Sequence, residues 1–487
     1  MCKKLIKGLT IHFCINKSKA PSENRALLVC LNDYLCEKLD TGMTSCIDPY
    51  RAALAELARM DIQLAKGAQV CSRAQWVEEG ETSSAYFFRL ECKQAAKRWI
   101  FALRQSDGTI VSSPSEFCSS FLSFYNDLLA ASPTDPAAQA RLLGGLTSKL
   151  SETQSTLWEG DITLEEATLA LNGMACRKSP GLDGFPCEFY PKFWQVLGPD
   201  LVSVLNICLL YGPLSLSQHS GVISLSFRKG DHLNLWNWRP ISLLNVDYKM
   251  ALQCIADHLL KVIHLIVDKD QTCGVPGWYL SENVALLHDV VDFASSSGCP
   301  AAILSLDQEK AFDRVDWGFM LSTLRSVGFG PSFVSWVELF YSHVRSSVSV
   351  NGHLTDFFYL SRGVRQGCPL SPLLYVLVAE VFAVNLRSNP RIRGISLPGA
   401  SPVSLIVLYA DDTSLVLSSD DAIKAAFEAF TTSENASGSK LNLAKSKGLW
   451  LRGWGDRSDP PVLLDWSSSK LKVLGIFIGP GNLKEDN

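Results

Sequence analysis

The sequence predicts an α+β fold of several domains, and three observations carry that prediction. Short apolar runs bounded by turn residues, at 301–306, 405–409 and 412–417, read as strands. Longer stretches with helical spacing, at 163–174, 188–210, 246–267 and 281–294, stand between them. With 487 residues and 47% hydrophobic content, the chain can fill about three domains with large cores.

Charge and cysteine usage narrow the class. A net charge of −4 and a pI near 6.1 argue against non-specific coating of nucleic acid, though a local basic groove remains compatible. Fifteen cysteines without a Cys-x-x-Cys speak against a zinc ribbon or a thioredoxin-type site and fit reduced, buried thiols. Lys3, Lys4 and Lys7 precede only a short apolar run broken by His12, so no signal peptide is expected. The most apolar long stretch, 373–386, contains Glu380 and is short for a bilayer span. The expected location is intracellular, in nucleus or cytoplasm, without secretion or membrane attachment.

The elements follow in order. Residues 26–104 are helix-rich, and Arg89, Lys93 and Lys97, spaced by four, share one face. That stripe suits either a phosphate backbone or plain solvent. Ser106-Asp107-Gly108 turns the chain into a short hairpin, and 117–129 reads as an amphipathic helix. Residues 131–150, bearing Ala, Ser and Pro, read as a linker. Thr163 and Glu166 form a capping box. The helix over 188–210 carries Phe189, Tyr190, Phe193 and Trp194 at core spacing. Strands at 221–227 and 238–243 flank Arg228-Lys229-Gly230-Asp231. With Arg239 they make either a polyphosphate clamp or an ordinary basic hairpin.

After strand 301–306 comes Asp307, then one long helical region over 317–341. Asn351-Gly352 signals a hairpin. The stiff loop 362–372, with Arg362, Arg365, Gln366 and Gly367, opens the apolar helix at 373. Beyond the hairpin at 405–417 lie a helix over 421–435, a strand at 448–451 and a last apolar element at 471–478.

Asp411 and Asp412 sit between two apolar strands. Adjacent carboxylates repel and are costly to bury without a cation or proton, whereas in a solvated turn they are ordinary. Asp307 ends another strand. If those strands are neighbours, three carboxylates converge at one sheet edge, which suits Mg²⁺ completed by waters and phosphates.

Several motifs together resemble the reverse transcriptases of non-LTR (LINE-type) retrotransposons. Asp307-Gln308-Glu309-Lys310-Ala311-Phe312-Asp313 is similar to the first palm motif, residues 362–372 to the second and Tyr409-Ala410-Asp411-Asp412 to the third. Residues 438–446 are similar to the fourth, and Val473-Leu474-Gly475-Ile476 to the primer-grip strand. Ser179-Pro180-Gly181-Leu182-Asp183-Gly184 and Trp238-Arg239-Pro240-Ile241 resemble finger motifs, and 80–90 the segment between endonuclease and polymerase.

The resemblance implies a right-hand polymerase. Residues 1–150 would be a helical N-terminal extension, 151–300 fingers, 301–480 a palm with an antiparallel sheet, and 481–487 a tail where the thumb is absent. It implies RNA-directed DNA synthesis on an RNA template from a DNA primer, with deoxynucleoside triphosphates and two Mg²⁺ ions or Mn²⁺ in their place. Asp307 and Asp411 would bind both metals, with Asp412 assisting and the Gln308 carbonyl as a further ligand. Lys445 would donate a proton to pyrophosphate. Arg228, Lys229 and Arg239 would hold the triphosphate, Gln366 and Gly367 would line the nucleotide pocket, and Phe312 would exclude a ribose 2′-OH. Arg362 and Arg365, with Arg89, Lys93 and Lys97, would meet nucleic acid.

Phe227-Arg228 stands where the family has Pro-Lys, His258 where it has arginine, Trp278 after Gly277 where it has arginine, and Ser439 where it has leucine. These departures, with no endonuclease or thumb expected, leave a second reading open: a truncated, catalytically impaired remnant that at most binds RNA. A maturase-like splicing factor is a weaker third.

Overall fold

The structure is a computed structural model that describes residues 24–72 apart from 26, 37 and 39–42, residues 99–395 apart from 106, and residues 405–481 apart from 456. In chain order its main elements are α1 (Ile47–Ser72), β1 (Leu103–Arg104), β2 (Ile110–Val111), α2 (Pro114–Leu129), α3 (Pro136–Gly144), α4 (Glu152–Thr156), α5 (Leu164–Gly173), α6 (Phe189–Tyr211) and α7 (Leu216–His219). Then come β3 (Ser220–Phe227), β4 (Trp238–Leu243), α8 (Val246–Ile266), α9 (Leu280–Ser297), β5 (Ala302–Leu306), α10 (Trp317–Ser326), α11 (Pro331–Tyr341), β6 (Arg345–Val350), β7 (His353–Leu354), β8 (Phe358–Tyr359) and α12 (Ser371–Ser388). The last are β9 (Leu405–Tyr409), β10 (Asp412–Leu417), α13 (Asp420–Ser437), β11 (Lys447–Trp450), β12 (Asp465–Ser467), β13 (Leu471–Val473) and β14 (Ile476–Ile478). The chain divides into two units, one of Met1–Phe117, Leu225–Arg239 and Val350–His353, the other of the remainder.

In the first unit, β1 and β2 form the expected short hairpin. The Arg104 N–H donates to the Leu233 carbonyl (2.8 Å), and its guanidinium pairs with Asp231 (2.9 Å). Trp238, fully buried, packs against Phe227 and His232, and its indole N–H donates to the His232 carbonyl. This aromatic cluster anchors the exposed tip bearing Arg228 and Lys229.

The second unit is built on a five-stranded sheet in the order β12-β11-β5-β10-β9. β5 lies in the middle, antiparallel to β10 and β11, while β11 and β12 run parallel. Ala302, Leu304 and Leu306 point to one face, against Phe382 and Leu386 of α12 and Ile423 and Phe430 of α13. Ile303, Val407 and Val416 point to the other, against Leu287, Val290 and Val291 of α9 and the β13–β14 hairpin. A sheet covered on both faces has no polar side, which is why its strands read as continuous apolar runs.

Capping chemistry sets several helix starts. Thr163 and Glu166 form the expected capping box of α5. Glu166 also meets His258 Nε2 at 2.7 Å, and the His258 ring lies 5.3 Å from that of Trp158. The histidine that replaces an expected arginine is therefore 7% exposed, inside a packed pair.

Four expectations are corrected. Residues 131–150 contain helix α3, capped by Asp135, begun by Pro136 and bonded to α13 through Gln139 and Arg141. Its buried positions are only Ala138 and Leu142, a stripe too short to stand out by periodicity. The region 317–341 is two helices. Gly328 turns with φ +93°, and α11 restarts at Pro331 with Glu159 accepting from the Ser332 and Phe333 N–H groups. The element at 471–478 is a hairpin, because Leu474 and Gly475 both take positive φ. Cys187, Cys254 and Cys368 are buried as expected of thiols, but Cys30, Cys36 and Cys176 are exposed.

Of the aromatic run on α6, Tyr190 is core and Phe193 is 50% exposed. α6 and α12 are both long and apolar enough to cross a membrane by length and composition. α12 is 78% buried over its apolar window, as a core helix is.

Candidate active site

The hairpin β9–β10 turns through Ala410 and Asp411, with Tyr409 paired to Asp412. Ala410 takes φ +53°, a left-handed conformation that costs a residue with a Cβ about 1–2 kcal/mol. Asp411 is half-buried and Asp412 exposed. β10 pairs with β5 at Thr413–Leu306, so continuing the register by one residue sets Asp307 across from Asp412. The strands are thus neighbours, and the three carboxylates stand at one sheet edge.

Asp307 is held by a segment far along the chain. Its N–H donates to Ser446 Oγ (3.1 Å), and its carbonyl accepts from the Asn442 N–H (2.8 Å). The Glu309 N–H donates to the Lys440 carbonyl (2.8 Å), and Gln308 bridges to Leu441. Ser446 is fully buried. Residues 440–446 therefore lie along the Asp307 motif, with Lys445 exposed on them.

Phe312 stacks on Tyr375 of α12, ring centroids 4.7 Å apart and planes 13° apart, and the Tyr375 hydroxyl donates to Gln308 Oε1 (3.2 Å). Sequence reasoning missed Tyr375, which reads as one more apolar residue of a core helix. Burial pushes its hydroxyl well above the usual tyrosine range, and the Asp411 and Asp412 charges add to the effect. Burial, then Asp411, likewise raises the Cys273 thiol.

The loop before α12 is tightly placed. At Gly363 (φ +87°), a Cβ would lie 2.8 Å from the Asp313 carbonyl oxygen, and at Gly367 (φ +100°) 3.0 Å from that of Ser242. Gln366 donates through Nε2 to Asp313 (3.4 Å), and its carbonyl accepts from the Ser242 N–H (2.7 Å). Arg362 and Arg365, expected to meet nucleic acid, are 6% and 5% exposed. Arg362 Nε donates to the Leu128 carbonyl (2.9 Å), and Arg365 Nη2 donates to Tyr248 Oη (3.0 Å). In this structure both are buried struts of the loop, each bonded to a protein oxygen and each with its Nη1 buried without a partner. Arg228, Lys229 and Arg239 are exposed in the first unit. Arg89, Lys93 and Lys97 lie outside the described residues.

Behind the hairpin runs residues 268–273, which no motif reading singled out. The Leu408 N–H donates to the Asp270 carbonyl (2.8 Å), and the Thr272 N–H to the Leu408 carbonyl (3.2 Å). Arg387 of α12 binds both Asp270 oxygens at 2.7 Å and also pairs with Glu380. Burial pushes the Glu380 carboxyl up from 4.5 to about 8, with Arg387 opposing and Asp270 reinforcing the shift. Folded, it keeps its proton to about pH 8; unfolded, it releases it near 4.5. Stability from this group is full below the lower value and lost as pH rises through the upper one, at up to about 1.4 kcal/mol per pH unit. The Tm of Glu380→Gln should accordingly fall less between pH 6 and 9 than that of the unaltered chain; parallel curves would remove Glu380 from the pH dependence.

Hard carboxylate oxygens at one strand edge, raising the pKa of the side chains around them, are donor chemistry for a divalent cation. Among the described residues, no three or more His, Cys, Asp and Glu side chains are grouped as a metal cage. An open edge of this kind relies on waters and substrate oxygens for its remaining positions.

The sequence profile of a family described as reverse transcriptase (RNA-dependent DNA polymerase) matches residues 228–478, just over half of the chain. The chain is 38% identical over 424 residues to a transposon TX1 uncharacterized 149 kDa protein of Xenopus laevis, covering 87% of this chain and 32% of that protein. It is 26% identical over 289 residues to the retrovirus-related Pol polyprotein from type-1 retrotransposable element R2 of Popillia japonica, covering 59% and 39% of the two. Over 284 residues it is 26% identical to the RNA-directed DNA polymerase from mobile element jockey of Drosophila funebris, covering 56% and 29%. The chain spans about a third of the length of these relatives.

Proposed function

Because the chain belongs to the reverse transcriptase family, in its non-LTR retrotransposon branch, we propose that it extends a primer 3′-OH with deoxynucleotides on an RNA template. The observation that carries the reading is the register setting Asp307 across from Asp412, with Asp411 in the adjoining turn. Residues 301–480 would serve as palm and 151–300 as fingers, behind an N-terminal extension at 1–150.

Asp307 and Asp411, with Asp412 assisting, would hold two Mg²⁺ ions, which when bound lower the pKa of the attacking hydroxyl and offset charge on the leaving pyrophosphate. The Ser446 and Asn442 contacts fix the Asp307 backbone, so that carboxylate starts from one place. Lys445, exposed on the same segment, is the proton donor to pyrophosphate in this reading. Arg228, Lys229 and Arg239 supply cations for the triphosphate, and Gln366 and Gly367 line the nucleotide pocket. Arg89, Lys93 and Lys97 form a stripe for the nucleic-acid backbone.

Primer extension by the pure chain on an RNA template, with Mg²⁺ and deoxynucleoside triphosphates, tests the reading. Template-dependent incorporation that stops on chelation is expected; no incorporation would overturn it. Phe312, fixed face to face on Tyr375, is the sugar gate. Phe312→Ala should raise ribonucleotide over deoxynucleotide incorporation on the order of 10- to 100-fold, the scale of one misfitted group in a shaped pocket. Unchanged sugar selectivity would strip Phe312 of that role.

A further inference from the structure

We propose that Gln271 is the positioning residue of the Asp-Asp turn, its buried amide oxygen holding Ala410 in the left-handed conformation from which Asp411 and Asp412 are presented. The inference rests on the polymerase reading for its consequence, and on geometry alone for its substance.

Gln271 is fully buried. Its Oε1 accepts from the Ala410 N–H (3.1 Å), 139 residues away, and from the Cys273 N–H (3.1 Å). Two N–H donors at one atom identify that atom as the oxygen, because a flipped amide would set donors against donors. The backbone around it is locked: Gln271 bridges to Leu408 in parallel, and Asn283 Nδ2 donates to the Leu408 carbonyl (3.0 Å) and to Thr272 Oγ1 (2.9 Å). The Arg387–Asp270 pair holds the start of the same segment. Ala410 has a Cβ and yet takes φ +53°. A left-handed alanine persists where its surroundings over-determine it, and here the bonded N–H is the determinant. Glycine takes that conformation without help.

The test uses the full chain and two readouts, hydrogen exchange of the amides at 409–412 and Mn²⁺ binding followed by electron paramagnetic resonance. Gln271→Leu removes the acceptor. Exchange at the turn should speed at least about tenfold, and the Mn²⁺ Kd should rise about tenfold, the scale on which outer partners tune a metal site. Adding Ala410→Gly to Gln271→Leu should bring Mn²⁺ affinity back to within about threefold, since glycine needs no anchor there; a merely structural role predicts no such recovery. If the leucine variant does not fold, Gln271→Asn, which withdraws the amide by one methylene, carries the same expectations. Unchanged exchange and Mn²⁺ binding, or no recovery with glycine, overturn the proposal. Absence of primer extension by the unaltered chain counts against the polymerase reading alone, because neither readout here requires turnover.

Discussion

Asp411→Asn should abolish RNA-templated primer extension, with a loss of about 10³-fold or more. A carboxylate that holds a catalytic cation supports several kcal/mol of transition-state stabilisation, and each 1.36 kcal/mol is a factor of ten. The substitution changes charge and hardly changes shape. Asp411 is half-buried in a two-residue turn beside a second carboxylate. Removing one of two adjacent like charges relieves repulsion, so the Tm should hold or rise slightly. Lost activity with retained stability is the signature of a metal ligand; lost activity with lost stability is that of a broken turn. Asp356→Asn, at an exposed position away from the hairpin, should leave extension unchanged. Extension by Asp411→Asn within about tenfold of the unaltered chain would contradict the assignment.

Arg387→Met should bring the largest stability loss, about 3–5 kcal/mol, the usual cost of removing one partner from a buried ion pair. Arg387 is 18% exposed as a side chain, Asp270 16% and Glu380 3%. Without the guanidinium, Asp270 keeps a desolvated charge with its strongest partner gone. Glu380 is cushioned at neutral pH, because burial already favours its protonated form. The loss should thus deepen above about pH 8, where Glu380 ionises. Adding Asp270→Asn to Arg387→Met should recover part of it. Denaturant unfolding at pH 7 and pH 9 measures both effects, and a cost below about 1 kcal/mol would place the pair among the weak surface bridges. Because this pair anchors the segment carrying Gln271, Arg387→Met should also loosen the Asp-Asp turn.

Much of the fold was legible where the signal is local. The strands at 302–306, 405–409 and 412–417, the capping box at Thr163 and Glu166, and the presence of α8 and α9 needed only periodicity and cap chemistry, though α9 runs three residues past its expected end at 294. The break at Gly328 and Pro331 was also written in the chain and was missed because the apolar stripe continues across it. Helix α3 was not legible by its apolar pattern, since it docks through Asp135, Gln139 and Arg141 onto α13. Polar side chains that dock a helix look like polar side chains of a linker.

The site divides the same way. By itself the sequence determined which residue types stand at the strand ends, Asp307, Asp411 and Asp412, and therefore which chemistry the chain can support. Only the tertiary structure decided that β5 and β10 are neighbours in the register that sets Asp307 opposite Asp412. It also decided that Arg362 and Arg365 are buried struts, and that Gln271 stands behind Ala410. The physical reason is range. Propensity, capping and alternation act over a few residues, whereas a hydrogen bond between positions 271 and 410 exists only once the sheet is covered on both faces and the Ala410 N–H, buried with it, has had to find an oxygen.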